Sequence, residues 1–423
     1  MNSSNNTIGG VNTNVTHPSR RLAIQKIACM LTSLSGFGCS KPQDRDSSSD
    51  PGQELDVYKK PLSVPVYPVS SPSLPIEAIR SVVKYSQPPT VIKVIPISVV
   101  YHAIRLWGTS ATFPNREFAN PLLRGRWGEV MFAIMTDDNA YQEYASTSSS
   151  SHLLLPSDHG VMARVADDGG NGGGTSSTHP GAYLQIMAEL GVSSEERLHV
   201  IEREESTLAD VINDEALRVS LLIEQEWIAN GLSRYLKNTK WQNRFGDWIS
   251  FDLIAEKLVN RKLAKGACQG GHVPYALASL LAVQEQRELL SPKVVNSVEN
   301  HLRAYSKLLS STQREDGGWD RGWDGNSIAD NKSALETSRS LRERLVATGH
   351  HLEWMTICKP ALRPDDSVMH SASLFLSREI ERTGRSVEMD WHKYMPLTHS
   401  AKAVLNAQGY LEPDQFISFL DTN

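Results

Sequence analysis

Several histidines of this chain stand where a Gly or Thr hands over to a helical pattern. His179 lies between Thr178 and Pro180, His272 follows Gly270-Gly271, and His350 with His351 follows Gly349. A neutral imidazole, titrating at about pH 6.5, can act as a base or a hydrogen-bond donor near neutrality. Glu353 comes three residues after His350, a spacing that puts both on one face of a helix. His350 and His272 are therefore the candidate catalytic bases and Glu353 the carboxylate partner, for proton transfer of isomerase, lyase or hydrolase type. The plainer alternative for each histidine is that it caps or packs a helix end.

A second set mixes flat apolar surface with acids: Trp319, Trp323 and Trp354 beside Asp316, Asp320 and Asp324. Sugar rings stack on aromatics, and paired carboxylates run glycoside chemistry. The candidate ligand-binding residues are His179, Trp323, Asp320, Asp324, Trp354 and Tyr275, with corner packing as the alternative for the tryptophans. Cys268 and His272 have ligand types and an i, i+4 spacing that suit zinc, but Cys268 falls before the helix start, so no metal is assigned. The glycine run at 169–174 lacks the Lys-Ser/Thr and the preceding apolar strand of a phosphate loop.

Helices must position these groups. From Phe118 onward almost nothing alternates like a strand, whereas apolar stripes of helical spacing recur. Examples are Leu208/Val211/Ile212, Phe251/Ile254/Leu258 and Val294/Val298/Leu302/Tyr305/Leu309. Ser193-x-x-Glu196 and Thr207-x-x-Asp210 read as capping boxes, Ser291-Pro292 as a helix start, and Asp365-Asp366 as carboxylates at a helix N-terminus. Gln313 is placed to satisfy helix-end groups, with Gly317 as the turn and Trp319 over the seam.

The chain has 423 residues, 40% of them hydrophobic, and a net charge of −5. That suffices for one large core or two smaller ones. The mixed charge gives no basic face for nucleic acid, so none is expected as a partner. No apolar run reaches the ~20 residues of a spanning helix. At the N-terminus, Arg20-Arg21 and a weakly apolar stretch from Ile27 to Gly38 precede Cys39. This is an export-signal pattern. Residues 40–75 are rich in Pro, Ser, Asp and Gly and read as a tether.

The corner Leu309-x3-Gln313-x3-Gly317-x-Trp319 resembles the QW repeat of squalene cyclases and other class II terpene cyclases. That resemblance implies an α/α toroid. The family's catalytic Asp-x-Asp-Asp has its nearest counterpart in Arg363-Pro364-Asp365-Asp366, with Arg in the first position, so cyclase chemistry is not implied. Gly349-His350-His351-Leu352-Glu353-Trp354 resembles a segment of N-acylglucosamine epimerase-type α/α barrels and implies proton transfer at His350, though the second catalytic histidine has no counterpart. Cys268-x3-His272 with Cys358 is similar in ligand types to the zinc sites of toroidal lanthionine synthetase cyclases, but their Cys-His-Gly segment is absent. At the N-terminus, Arg20-Arg21 resembles a twin-arginine signal, and Gly36-Phe37-Gly38-Cys39 resembles a loose lipobox with Leu34 too far upstream.

The resulting expectation is an all-α chain, an α/α toroid. Residues 1–39 are an export signal, 40–75 a disordered linker, 76–117 a small N-terminal arm and 118–423 the helical toroid. The expected protein is exported to the periplasm or cell envelope, with membrane anchoring through Cys39 left open. It binds a carbohydrate or lipid-linked ligand, a small molecule or glycan, in a central cleft. The alternatives are a sugar-active enzyme using His and Glu at the mouth, and a structural envelope scaffold. Cofactor, reaction, oligomeric state and the pairing of Cys268 with Cys358 are not written in the sequence.

Overall fold

The computed structural model describes residues 55–70, 73–88, 95–113, 125–145, 151–165, 179–222, 224–263, 267–320, 322–324, 334–386 and 391–420. All of them belong to one compact unit, Gln53–Asn423. The expected export signal, Cys39 and the glycine run at 169–174 lie outside the described residues. Among the described residues, no helix is long and apolar enough to cross a membrane.

The described chain is predominantly helical. Its helices are α1 (Ile76–Tyr85), α2 (Ile97–Trp107), α3 (Trp127–Thr136), α4 (Asp138–Tyr144), α5 (Ala182–Glu189), α6 (Leu208–Arg218) and α7 (Glu226–Tyr235). There follow α8 (Phe251–Val259), α9 (His272–Gln284), α10 (Pro292–Thr312), α11 (Ala334–Ile357), α12 (Asp366–Ser386), α13 (Trp391–Ala407) and the single turn α14 (Pro413–Ile417). Three antiparallel hairpins, unseen in the sequence reading, join helices: β1 (Leu154–Ser157) with β2 (Gly160–Ala163), β3 (Arg197–Val200) with β4 (Arg203–Thr207), and β5 (Lys240–Gln242) with β6 (Trp248–Ser250). Strands this short hold too few residues for alternation to be seen. Ser193-x-x-Glu196 accordingly leads into β3, while Thr207 and Asp210 form the expected capping box on α6.

Two kinds of helix are present. Nearly every residue of α2, α5, α7 and α9 is buried, whatever its polarity. In α1, α8 and α10 only one stripe is buried, such as Val294, Val298, Leu302, Tyr305 and Leu309 of α10. A helix buried on all sides is an interior helix, and one with a single apolar stripe covers it. Helix α2 packs on α5 and α13, α5 on α7, α7 on α9, α9 on α11, and α11 on α13. The covering helices lie on these: α1 on α12 and α13, α6 on α7, α8 on α7 and α9, α10 on α9, and α12 on α11 and α13. The expected arm is thus built into the same body, because α2 is one of the interior helices.

Residues 55–70 correct the expectation of a disordered linker. This proline-rich segment lies across helix C-termini, where the last carbonyls have no partner within their own helix. The N–H of Tyr58 donates to Tyr235 O (2.7 Å) and that of Leu62 to Arg234 O (2.9 Å), at the end of α7. Tyr67 N–H donates to Thr356 O of α11 (2.6 Å) and Val69 N–H to Ala407 O of α13 (2.9 Å). Arg363 holds the strap down from beneath, donating to the carbonyls of Tyr67 and Pro68. Each lost hydrogen bond costs roughly 1 kcal/mol. A chain begun at Ile76 is expected to be less stable by several kcal/mol than one begun at Gln53, read as urea midpoints; equal midpoints would show the strap is dispensable.

The corner after α10 works with its parts redistributed. The helix-end carbonyl of Leu309 accepts from both the Gln313 backbone N–H and the Trp319 indole N–H (each 3.0 Å), while the Gln313 side chain donates to Gly317 O and Val368 O (both 2.9 Å). Gly317 has φ +94°, and a Cβ there would stand 2.2 Å from Ser371 O. Gly317→Ala should cost roughly 2–4 kcal/mol in denaturant unfolding, combining backbone strain with overlap. A loss below about 0.5 kcal/mol would mean that the corner yields.

Candidate functional site

Just before α9 the chain makes a 3-10 turn, Ala267–Gly270, in which Cys268 has φ +46° and Gly270 φ +79°. A non-glycine residue in this left-handed region is uncommon and often marks a functional turn. The turn lifts the partly exposed Cys268 thiol onto the N-terminal end of α9, where the helix dipole favours an anion. Gly271 permits a close approach, since a Cβ there would lie 2.8 Å from His350 Cβ.

Three imidazoles surround the sulfur. Suitable donor atoms of His179, Cys268 and His272 all lie within 4.8 Å of one another. His179 Nδ1 bonds Glu224 Oε2 at 2.9 Å, and its ring lies flat over Trp227, with centroids 5.5 Å apart. The Trp227 indole N–H donates to His272 Nδ1 at 3.0 Å. Indole nitrogen is only a donor, so a neutral His272 carries its proton on Nε2, a buried atom with no hydrogen-bond partner. The rings of His272 and His350 meet edge to face, 4.7 Å between centroids.

The electrostatics favour a charged thiolate–imidazolium pair. Burial alone would raise the Cys268 thiol, but the imidazoles of His272 and His350 and a hydrogen bond from His179 hold it well below its ordinary value. Burial would lower His179, yet its bonds to Cys268 and Glu224 raise it to about 10. Burial would raise the Glu224 carboxyl, but the bond from His179 and the adjoining imidazoles hold it at about 2.

Behind this mouth the polar groups continue inward. Glu353 Oε2 stands 3.5 Å from Nδ1 of both His350 and His399, and His399 Nε2 is 3.3 Å from His102 Nε2. Arg105 joins Glu353 to Glu189, binding the first through Nη2 and the second through Nε (2.6 Å) and Nη2 (2.9 Å). Glu189 also accepts from Gln185 (2.7 Å), Tyr275 (2.9 Å) and Lys402 (2.8 Å). Burial drives His399 down to about 4, helped by the charge on His350. His350 goes the other way: burial would lower it, but Cys268 and Glu353 raise it to about 9. A cavity lined by Arg105, Trp227, His272, Tyr275, His350 and Glu353, among others, has room for about one water.

The structure thus brings together His350, Glu353, His272, His179 and Tyr275 of the sequence-predicted set. It separates the rest. Trp323 and Trp354 are buried against Tyr305, with ring centroids 4.7 and 5.7 Å from it, and Trp323 also meets His351. Asp320 pairs with Arg314 and Arg344 near the corner, and Asp324 neighbours the same aromatic group through Tyr305. These side chains pack the corner and do not line the cavity. Cys358 is free and buried beside Arg363, away from Cys268. Sequence reasoning missed Glu224, Trp227, Arg105, Glu189, His102, His399 and Lys402. The one signal was a charged residue inside an apolar run, as Arg105 is between Ile104 and Leu106.

No family model, curated protein or solved structure matches this chain.

Two thiols with opposite environments give a direct check. Burial pushes Cys358 up to about 12, so under native conditions at pH 7 it stays a thiol, and the thiolate is the reactive form. Brief iodoacetamide treatment followed by peptide mapping should label Cys268 at least tenfold more than Cys358, the difference vanishing in denaturant. Equal native labelling would contradict this account of the turn.

Proposed function

We propose that the protein is a thiol-dependent acyl-transfer enzyme, a hydrolase or transferase, with Cys268 as nucleophile, His179 as acid and base, and Glu224 as the group that orients His179. One observation carries this reading: Cys268 faces His179, whose other nitrogen is held by a carboxylate at 2.9 Å. Nucleophile, base and orienting acid in that order are what covalent acyl transfer requires.

The Cys268 thiolate attacks the carbonyl carbon of an ester or amide, and the carbonyl electron pair moves to oxygen. As the intermediate collapses, the bond to the leaving group breaks and the protonated His179 gives that group its proton. Water then attacks the thioester, losing a proton to His179, and the acid departs as the thiolate re-forms. His272, whose ring stands against Cys268 and Glu224, turns its Nε2–H to the carbonyl oxygen as charge develops there. A metal held by His179, Cys268 and His272 is the competing use of these atoms. It is disfavoured because a ligating histidine donates its second N–H outward, whereas the second nitrogen of His272 accepts from Trp227.

The architecture we propose for it is an α/α toroid. The succession of contacts from α2 through α5, α7, α9, α11 and α13 returns to α2, and the all-round burial of four of these helices supports an inner layer. The cavity beside the thiol has room for about one water, so the carbohydrate or lipid-linked substrate we propose lies outside it. Trp227 and Tyr275 then take the place of Trp323 and Trp354 as the aromatic surface.

Intact-mass spectrometry after mixing with a panel of activated aryl esters tests the reading. An acyl adduct on Cys268 is expected in the native protein, absent in Cys268→Ala and formed about 100-fold more slowly or worse in His179→Ala. Unchanged acylation in Cys268→Ala, or none in the native protein across the panel, would sink the nucleophile assignment.

A further inference from the structure

Beyond the thiol lies a second group of donors that acyl transfer does not use. His350 and Glu353, i and i+3 on α11, face His399 of α13, and their donor atoms lie within 4.8 Å of one another. All three are buried. Glu353 Oε2 is 3.5 Å from both Nδ1 atoms, at the far limit for a hydrogen bond, whose ordinary N···O length is about 2.9 Å. Four ligands about 2.1 Å from a zinc ion stand roughly 3.4 Å from one another. The two carboxylate–imidazole distances match that spacing.

The surroundings fit as well. Glu353 Oε1 is clamped by Arg105, which Glu189 fixes in turn, leaving Oε2 as the inward oxygen. His399 Nε2 meets His102 Nε2 at 3.3 Å, an outer contact of the kind that orients a ligating imidazole. Of the two imidazoles only His399 has such an outer contact, since His350 Nε2 is buried without a hydrogen-bond partner. Helices α11 and α13 pack directly on each other, which holds the donors on rigid elements.

The geometry points to a divalent transition-metal site, zinc being the best match, formed by His350 Nδ1, Glu353 Oε2 and His399 Nδ1 with a fourth position open to water or substrate. Two imidazoles and one carboxylate with an open position is a donor set of catalytic zinc. Ligating imidazoles must be neutral, so binding weakens as the pH falls. His350 and Glu353 both line the cavity that also touches His272. His350 belongs to both clusters, since it also stands against the Cys268 sulfur.

Cobalt(II) titration of the full chain, stripped with chelator, is the test. One equivalent should bind, raise the melting temperature and give visible d–d bands of tetrahedral strength without a near-ultraviolet sulfur-to-cobalt band. Cys268→Ser should bind as tightly, and His399→Ala at least about 100-fold more weakly; the temperature shift on the native protein is read separately in case that variant fails to fold. Absence of binding to the native chain overturns the site. So does a sulfur charge-transfer band lost in Cys268→Ser, which would move the ion to His179, Cys268 and His272. Ester adducts on the stripped protein report on the thiol reading alone.

Discussion

Arg105 sits in the interior with its guanidinium between two carboxylates, and the polar centre of this molecule depends on that placement. It comes from α2, Glu189 from α5 and Glu353 from α11, so one cation ties three interior helices that are distant in the sequence. Taking a charge from water costs several kcal/mol, repaid only when the partners are close and their remaining lone pairs are filled. Glu189 meets that condition, with donors from Arg105, Lys402, Tyr275 and Gln185. Glu353 does not, because its second oxygen has only two histidines at 3.5 Å. The network is complete on one side of Arg105 and incomplete on the other, and the incomplete side faces the cavity.

An interior that polar needs a firm frame, and the frame is secured at the helix ends. The carbonyls that finish α7, α11 and α13 accept from the extended chain at 55–70, so these ends close without water. A proline-rich strand suits the task. It cannot extend the helices it crosses, its fixed φ lowers the entropy lost on ordering, and its other residues still offer N–H groups. The composition that suggests a tether therefore equally suits a strap, and only the carbonyls beneath it tell the two apart.

The same limit separates what the sequence discloses from what it hides. His179 and His272 could be found because helix starts are marked by Gly, Thr and Pro, and a histidine at such a boundary is visible locally; Gly349, by contrast, starts no helix, since α11 runs unbroken through His350 and His351. Glu353 follows from its i, i+3 spacing to His350. Glu189, His399 and Lys402 could not be found, because one polar residue in a helix reads as its solvent face; Arg105 alone left a trace, as a charge between Ile104 and Leu106. Helix α7 is the clearest case: Glu226, Asn230, Ser233 and Arg234 suggest an exposed side, yet all are buried. Trp323 and Trp354 erred in the other direction, since a tryptophan that fills a corner and one that carries a ligand have the same spelling. Predominant helicity was legible from periodicity, while the three hairpins were too short to register.

The pair formed by Trp227 and His272 decides how the mouth is to be understood. Cysteine and two histidines within a few ångströms suit a metal and a nucleophile equally well by composition. What separates the two uses is the location of one proton. An indole N–H can only donate, so it places the His272 proton on Nε2, toward the site. A ring in that state is a poor ligand and a good donor to an oxygen acquiring charge. At His350 and His399 no such donor occupies Nδ1, and the carboxylate opposite them is an acceptor, so those nitrogens remain able to take a cation. The two clusters, joined through His350, are therefore prepared for different work: the outer one for a thiolate and its proton, the inner one for a charge that the protein itself does not supply.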